Sequence, residues 1–292
     1  MRILILGGNG MIGHKMYQVI SKEFDDVWVL LKKPLDQVHS SEIFKTDKVI
    51  ESFNLVHFDK LSKVLNNLMP DLIINAAGIT IRRGINDNIL NSILINSALP
   101  HFLDNWVKSN NKRLIHFSTD CVFSGKKGFY SEFSATDAED TYGKTKGLGE
   151  VISSNTITLR GSMIGRELEN KTELLEWFLN QNEHSVKGYN KVIYSGITTI
   201  RMAKYVLQIL NKHPNMNGIY NVSSINISKF ELVKLFNQYF NKKCFIIADD
   251  SYISNKDLDS TKFYLETGFE KPNWSELIEE LASDCELNAK YY

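Results

Sequence analysis

The sequence predicts an α/β protein built on a doubly wound parallel sheet, with a smaller C-terminal substrate-binding region. Three observations predict it. A short apolar strand at the start runs straight into closely spaced glycines. Apolar strands then alternate with amphipathic helices through the first half, as parallel strands joined by helical crossovers do. Polar side chains gather where those strands end, and ligands of such sheets bind outside the carboxyl ends of the strands.

The first strand is Arg2 to Leu6, followed at once by Gly7-Gly8-Asn9-Gly10-Met11-Ile12-Gly13. This run satisfies G-x-G-x-x-G from Gly8 and G-x-x-G-x-x-G from Gly7. Glycines serve where the backbone turns sharply against a pyrophosphate, and the next helix aims its N-terminal amides at that charge. Gly7, Gly10, Met11, Ile12 and Gly13 are therefore expected to cradle a dinucleotide. Met16, Val19 and Ile20 carry the helix, and Val27 to Leu31 form the second strand. Lys32 and Lys33 then stand where an acidic residue would select NAD through the ribose 2′-hydroxyl. Two cations there predict a 2′-phosphate, hence NADP, with NAD as the second choice.

Asp59 is expected at the end of a short strand, Val56-His57-Phe58-Asp59, as an adenine-binding carboxylate. An amphipathic helix follows (Leu61, Val64, Leu65, Leu68), and then a strand from Asp71 that ends in Asn75-Ala76-Ala77-Gly78. Small side chains at that end let a cofactor lie close. Ile79 to Asn88 is a polar loop holding Arg82 and Arg83, and a long helix from about Ile89 to Lys108 carries Asn96 near its middle. The strand from Arg113 to Asp120 delivers the hydroxyls of Ser118 and Thr119 at its C-terminal end.

Tyr142-Gly143-Lys144-Thr145-Lys146 reads as the opening of a helix that puts Tyr142 and Lys146 one turn apart on the same face. A phenol has a reference pKa of about 10. An ammonium within about 4–6 Å favours the phenolate and lowers that value. The pair is a candidate proton donor tuned for chemistry near neutral pH.

Gly7 to Gly13, Asn75-Ala76-Ala77-Gly78, Ser118-Thr119-Asp120 and Tyr142-x-x-x-Lys146 together resemble an extended short-chain dehydrogenase/reductase. Ser118-Thr119-Asp120-Cys121-Val122-Phe123-Ser124-Gly125, Tyr130-x-Glu132, Tyr142 to Glu150 and Leu159-Arg160-Gly161-Ser162 resemble the dTDP-4-dehydrorhamnose reductase family within it. Leu258-Asp259-Ser260-Thr261-Lys262 and Pro272-Asn273-Trp274 look like that family's closing segment, so the likeness runs nearly end to end. The resemblance implies a Rossmann-like NADP-binding domain over residues 1–157 and a mainly substrate-binding region over 158–292, interleaved with the last strands of the sheet. It implies NADPH-dependent reduction of the C4 ketone of a nucleotide-linked 6-deoxy-hexulose. Thr119, Tyr142 and Lys146 would be the catalytic triad. Tyr142 would protonate the nascent alkoxide beside Thr119, and Lys146 would hold the nicotinamide ribose.

Two departures bear on the substrate. Relatives that act on dTDP-rhamnose precursors usually carry Tyr where this chain has Cys121, and an acidic loop where it reads Gly78-Ile79-Thr80-Ile81-Arg82-Arg83-Gly84. Tyr194-Ser195-Gly196-Ile197-Thr198-Thr199 looks like a subgroup associated with UDP-linked 2-acetamido-2,6-dideoxy-L-sugars, so a UDP-N-acetyl-hexulose is at least as good an expectation. Asn96, Asp120, Cys121 and Tyr194 are candidate sugar contacts. Arg160, Arg166 and Lys187 are candidate pyrophosphate partners, since Arg matches phosphate bidentately.

Other readings stay open at this stage. A 4,6-dehydratase shares the fold but places Glu where Cys121 stands. A 4-epimerase is excluded only weakly. A non-catalytic NADP-binding subunit commonly lacks a triad member, and this chain has all three. Cys121 has two readings: an epimerisation base, or a small side chain that makes room for a bulkier sugar. The second is preferred, because an epimerase normally adds a histidine and His184 is the nearest.

Helices at about Ile200–Leu210, Lys229–Phe240 and Trp274–Ala282 carry apolar stripes, and Leu174, Leu175, Trp177 and Phe178 suggest a helix whose rings pack rather than stack on a base. The 292 residues hold 34 Lys plus Arg against 34 Asp plus Glu, so nothing global attracts nucleic acid or an anionic membrane. No apolar run approaches the roughly 20 residues that span a bilayer. Cys121, Cys244 and Cys285 lack metal-ligand spacing, and the seven histidines form no cluster, so no metal is expected. These features fit a cytoplasmic protein with a nucleotide-sugar substrate. A homodimer is compatible with them and not required.

Overall fold

The computed structural model describes residues 1–80, 88–182 and 184–292; Arg82 and Arg83 lie outside them. β1 (Ile3–Leu6) is buried on every residue and leads through the glycine turn into α1 (Met11–Ile20). β2 (Val27–Leu30), β3 (Val49–Ile50), α2 (Phe58–Leu68) and β4 (Leu72–Asn75) follow. α3 (Ile89–Ser92), a π turn (Ile93–Ala98) and α4 (Leu99–Ser109) form one continuous helical segment. Pro100 explains the π turn: it has no N–H to give Asn96 four residues earlier, and its ring crowds that carbonyl.

β5 (Arg113–Ser118), α5 (Thr141–Leu148), β6 (Thr156–Arg160), β7 (Met163–Ile164), α6 (Leu174–Leu179), β8 (Ser185–Tyr189), β9 (Val192–Tyr194) and β10 (Ile197–Thr198) come next. The chain continues through α7 (Thr199–Lys212), β11 (Gly218–Asn221), β12 (Ile227–Ser228), α8 (Lys229–Tyr239), β13 (Phe245–Asp249), β14 (Ser254–Asn255), α9 (Thr261–Thr267) and α10 (Trp274–Leu287).

The main sheet runs β11-β6-β5-β4-β1-β2-β3, parallel at every pairing. Strand order reverses between β1 and β4, the switch point where such sheets open a crevice. The expected boundary at 157/158 falls inside β6, and β11 extends the same sheet from far down the chain. The second half is therefore interleaved with the first. Three small sheets, β10-β7, β12-β9-β14 and β13-β8, are built from the second half of the chain.

Alternation along the strands fills two cores. Ile3, Ile5, Val29, Ile74, Ile115 and Leu159 face one side with Met16 and Ile20 of α1 and Met202 and Val206 of α7. Leu4, Leu6, Leu30, Ile73 and Leu114 face the other, with Leu61 and Leu65 of α2 and Leu103 and Val107 of α4. Phe178 is buried with its ring 5.8 Å from Phe236, while Trp177 is 37% exposed, so only one of the α6 aromatic rings packs as expected.

Candidate active site

The β1–α1 turn is held by Gly10 N donating to Gly7 O at 3.0 Å. Gly13 is required there, because a Cβ on it would come within 2.1 Å of Gly7 O. Gly10 offers no side-chain cap to α1 and the first turn holds no acidic residue, so its amides remain open to an anion. They border a cleft of about 580 Å³ whose lining includes Gly7, Gly10, Lys32, Ala76, Ala77 and Gly78. A smaller pocket of about 90 Å³ shares Gly10, Ala76, Ala77 and Gly78 with the cleft and adds Met11, Ile12, Ser118, Tyr142, Lys146 and Glu173. Glycine turn, open helix end and a long cleft leading to hydroxyls suit an extended dinucleotide.

Most of the expected cofactor residues line these two spaces; three do not act as expected. Asn75 is fully buried, its amide against His116 Nδ1 at 3.1 Å, and it supports the floor from below. Asp59 is exposed in the first turn of α2 rather than at a strand end, because Val56–His57 is turn and coil. The turn just before it, Phe53 to Val56, lines the cleft instead. Lys33 pairs with Glu169 at 3.0 Å, which leaves Lys32 as the cation of the cleft wall.

Asp140 caps α5 by accepting from Gly143 N at 2.9 Å, and this sets Tyr142 and Lys146 one turn apart as expected. Tyr142 and Thr119 are within hydrogen-bond reach of each other. Thr119 Oγ1 also donates to Asp120 Oδ1 and accepts from Cys121 N, both at 3.2 Å. Lys146 Nζ donates to Phe117 O at 2.6 Å. Burial lowers the Lys146 ammonium to about 8, against the opposing pull of Glu150. Tyr142 behaves contrary to expectation: burial, with Cys121 and Asp120 nearby, raises its phenol far above the ordinary value, and the neighbouring Thr119 hydroxyl offsets only part of that. Lys146 faces the Phe117 carbonyl and does not lower it. A phenol held protonated is still a competent proton donor.

Asp120, Cys121 and Tyr194 come together beside this triad. Burial raises the Asp120 carboxyl and pushes the Cys121 thiol up to about 12, with Asp120 adding to the latter. A thiol so held is a poor base, which favours the smaller-side-chain reading of Cys121. Tyr194 is buried near both residues, with Lys229 Nζ 3.5 Å from its ring centroid.

Four expected substrate contacts are engaged elsewhere. Asn96, fully buried on the π turn, donates to Ile79 O at 2.9 Å and Thr145 Oγ1 at 3.1 Å, and accepts from Ile79 N at 2.9 Å. It ties the β4 exit to α5. Arg160 is 2% exposed and held by both Glu150 oxygens at 2.7 and 2.6 Å. Arg166 pairs with Glu176 at 2.7 Å and lies over the Tyr292 ring. Lys187 projects to solvent from the separate β13-β8 sheet, 3.5 Å from Asp249. Conversely, Glu150, Glu173 and Lys229 enter the site without having been expected there. Only Glu150 carried a signal, at helical spacing four residues after Lys146.

With this geometry in hand, known proteins add a family. The family model described as "RmlD substrate binding domain" matches residues 1–286. The chain belongs to that family. A spore coat polysaccharide biosynthesis protein, SpsK of Bacillus subtilis, is 25% identical over 232 residues, 77% of this chain and 74% of that protein. A dTDP-4-dehydrorhamnose reductase of Aggregatibacter actinomycetemcomitans is 26% identical over 175 residues, 55% of this chain and 51% of its own length. The chain thus matches about half of that reductase. The crystal structure of the dTDP-4-dehydrorhamnose reductase of Bacillus anthracis in complex with NADP shares the fold, with a TM-score of 0.77 at 18% identity, covering 97% of this chain and 99% of that one. Membership in the RmlD family accords with the motif resemblance and with the doubly wound sheet. Among the described residues, no helix is long and apolar enough to cross a membrane.

Proposed function

We propose that this protein is a sugar-nucleotide reductase that uses NADPH to reduce the C4 ketone of a nucleotide-linked 6-deoxy-4-hexulose. The coarse reading, an oxidoreductase acting on sugar nucleotides, rests on RmlD family membership. The finer one rests on a single observation: Tyr142 and Lys146 line the inner pocket that continues the dinucleotide cleft, with Thr119 within hydrogen-bond reach of Tyr142. Bound NADPH supplies the hydride. Tyr142 donates its proton to the oxygen that gains charge, and Thr119 holds that oxygen in place. Lys146 keeps a positive charge beside the reacting centre. Cys121 leaves room next to the sugar ring, which supports a UDP-linked 2-acetamido sugar alongside the dTDP-linked one. NADPH oxidation with dTDP- and UDP-linked 4-hexuloses in parallel tests the reading, with the C4 configuration of the product read by NMR. No turnover with either would overturn it.

Cofactor choice gives one prediction. Lys32→Ala should weaken NADPH binding more than NADH binding, and more than Lys33→Ala does, because Glu169 already engages Lys33. The effect should shrink as salt rises, since an exposed pair is screened over about 10 Å at 0.1 M. A wild-type preference for NADH refutes the assignment of Lys32.

The pH profile gives another. The Lys146 ammonium loses its proton near 8 in the free protein, so kcat/KM should fall as pH rises through that value. Tyr142 stays protonated across the same range and contributes no limb there. Lys146→Arg cannot titrate near this pH and should flatten the limb while lowering the rate. An unchanged limb in that variant assigns it to another group.

A further inference from the structure

The chain brings a carboxylate to the end of β2 after all, from far down the sequence. Glu169 Oε2 lies 3.0 Å from Lys33 Nζ and accepts from Asn9 Nδ2 of the glycine turn at 3.5 Å. Its other oxygen, Oε1, is buried and has no hydrogen-bond partner among the described residues. The segment that carries Glu169 also borders the dinucleotide cleft, where Asn170 and Thr172 line the wall together with Asn9 and Lys32.

The backbone holds Glu169 firmly in this place. Asn170 and Lys171 are both left-handed, with φ of 65° and 50°, and Lys171 N donates to Glu169 O at 2.8 Å. Asn tolerates that conformation and Lys does not, so such a turn persists only where its surroundings over-determine it. Here Glu167 Oε2 accepts from Thr172 N at 2.6 Å and from Glu173 N at 2.7 Å, and Lys171 Nζ donates to Tyr292 O at 2.9 Å. A largely buried carboxylate on a fixed turn thus meets a half-exposed lysine on a flexible stem.

The two lysines that follow β2 are therefore used differently. Lys32 lines the cleft, and Lys33 is drawn to the carboxylate. In sheets of this class the 2′ substituent of the adenosine ribose is read at this strand end, by an acid for a hydroxyl and by a cation for a phosphate. A phosphate would meet Lys32 with Lys33 already committed, near a carboxylate of its own sign. A hydroxyl would meet no such opposition.

We infer that Glu169 sets the cofactor discrimination of this protein, restraining Lys33 and thereby weakening its preference for NADPH over NADH. The inference rests on the reading of NADPH as the cofactor, with its 2′-phosphate at the β2 end, and its test is binding alone. Dissociation constants of NADPH and NADH are measured by nicotinamide fluorescence at low salt. The proteins compared are wild type, Glu169→Gln, Lys33→Ala, Lys32→Ala and the double variant Glu169→Gln, Lys33→Ala. Gln keeps the shape and an acceptor oxygen while removing the charge, and NADH affinity reports whether the cleft is intact in each variant. Glu169→Gln should tighten NADPH about three- to fivefold, the upper range for a half-exposed charge contact, and leave NADH within about twofold. Adding Lys33→Ala should cancel that gain, although Lys33→Ala alone changes little. The inference is overturned if Glu169→Gln binds NADPH no tighter than wild type, if NADH gains as much, or if the gain survives Lys33→Ala. A lowered NADPH preference in Lys32→Ala with no change in Glu169→Gln also overturns it and leaves the cofactor reading standing. Wild type binding neither dinucleotide would end both.

Discussion

Tyr142→Phe should lower kcat by at least about 10²-fold, the contribution of a positioned general acid, while NADPH binding stays near wild type. The substitution removes one hydroxyl from a ring already packed in place, so the pocket keeps its shape. Tyr142 donates from a phenol that burial keeps protonated, and no neighbouring group replaces it: the Cys121 thiol is pushed up to about 12 and Lys146 is turned to Phe117 O. Single-turnover measurement with saturating NADPH separates chemistry from product release. Turnover within a few-fold of wild type would mean that another group supplies the proton.

Arg160→Ala should cost the protein about 3–5 kcal/mol of stability, as breaking a buried ion pair does by stranding its partner. The pair is bidentate, Arg160 2% and Glu150 7% exposed by side chain, with Arg160 Nη1 also donating to Asn221 Oδ1 at 3.2 Å and Ser118 Oγ donating to Glu150 at 2.6 Å. Removing the guanidinium leaves a carboxylate buried at the end of β5 and a void over Phe123, whose ring lies 5.0 Å below it. Glu150 also favours the charged form of Lys146, so the loss reaches the triad. Urea unfolding of the single variants and of a double Glu150→Leu, Arg160→Met variant provides the check. The double variant should be more stable than either single one, since no unpaired charge remains in it. Equal stability of wild type and Arg160→Ala would contradict the account.

What the sequence made legible was local. The glycine turn, the small residues after β4, the hydroxyls ending β5 and the Tyr142/Lys146 pair each declare themselves within a few residues, because strand periodicity and turn chemistry are short-range. The misplacements were long-range. Arg160 is an arginine at a strand end, as phosphate ligands are, and nothing near it in the chain reveals that Glu150 will meet it in the interior. Asn96, expected at the substrate from its place near the middle of the helix, is instead bonded to Ile79 and Thr145. Glu169 carries no motif at all, and only the fold brings it to Lys33. Tyr142 was misjudged differently. A lysine one turn away is a sound reason for a lowered pKa, but burial of the phenol outweighs it, and the ammonium is turned to the Phe117 carbonyl.

The loop after β5 that carries Thr119 and Cys121 is fastened mainly by late residues: Asn255 N reaches Gly125 O, Tyr130 bonds both Asp257 and Asp259, and Asn221 Nδ2 donates to Tyr130 O at 2.8 Å. The dinucleotide cleft instead draws most of its walls from residues before Ile95, with Asn170 and Thr172 completing the rim. During synthesis from the N-terminus, these two halves of the machinery cannot mature together. Most of the cleft has its strands available early, whereas the loop after β5 waits for more than a hundred further residues before its backbone finds its partners. Closing contacts over such a separation is slow, because the chain between must be ordered first. On the ribosome, the residues that form most of the cleft are therefore available well before those that fasten the loop carrying Thr119 and Cys121, and that loop can close only with the last third of the chain.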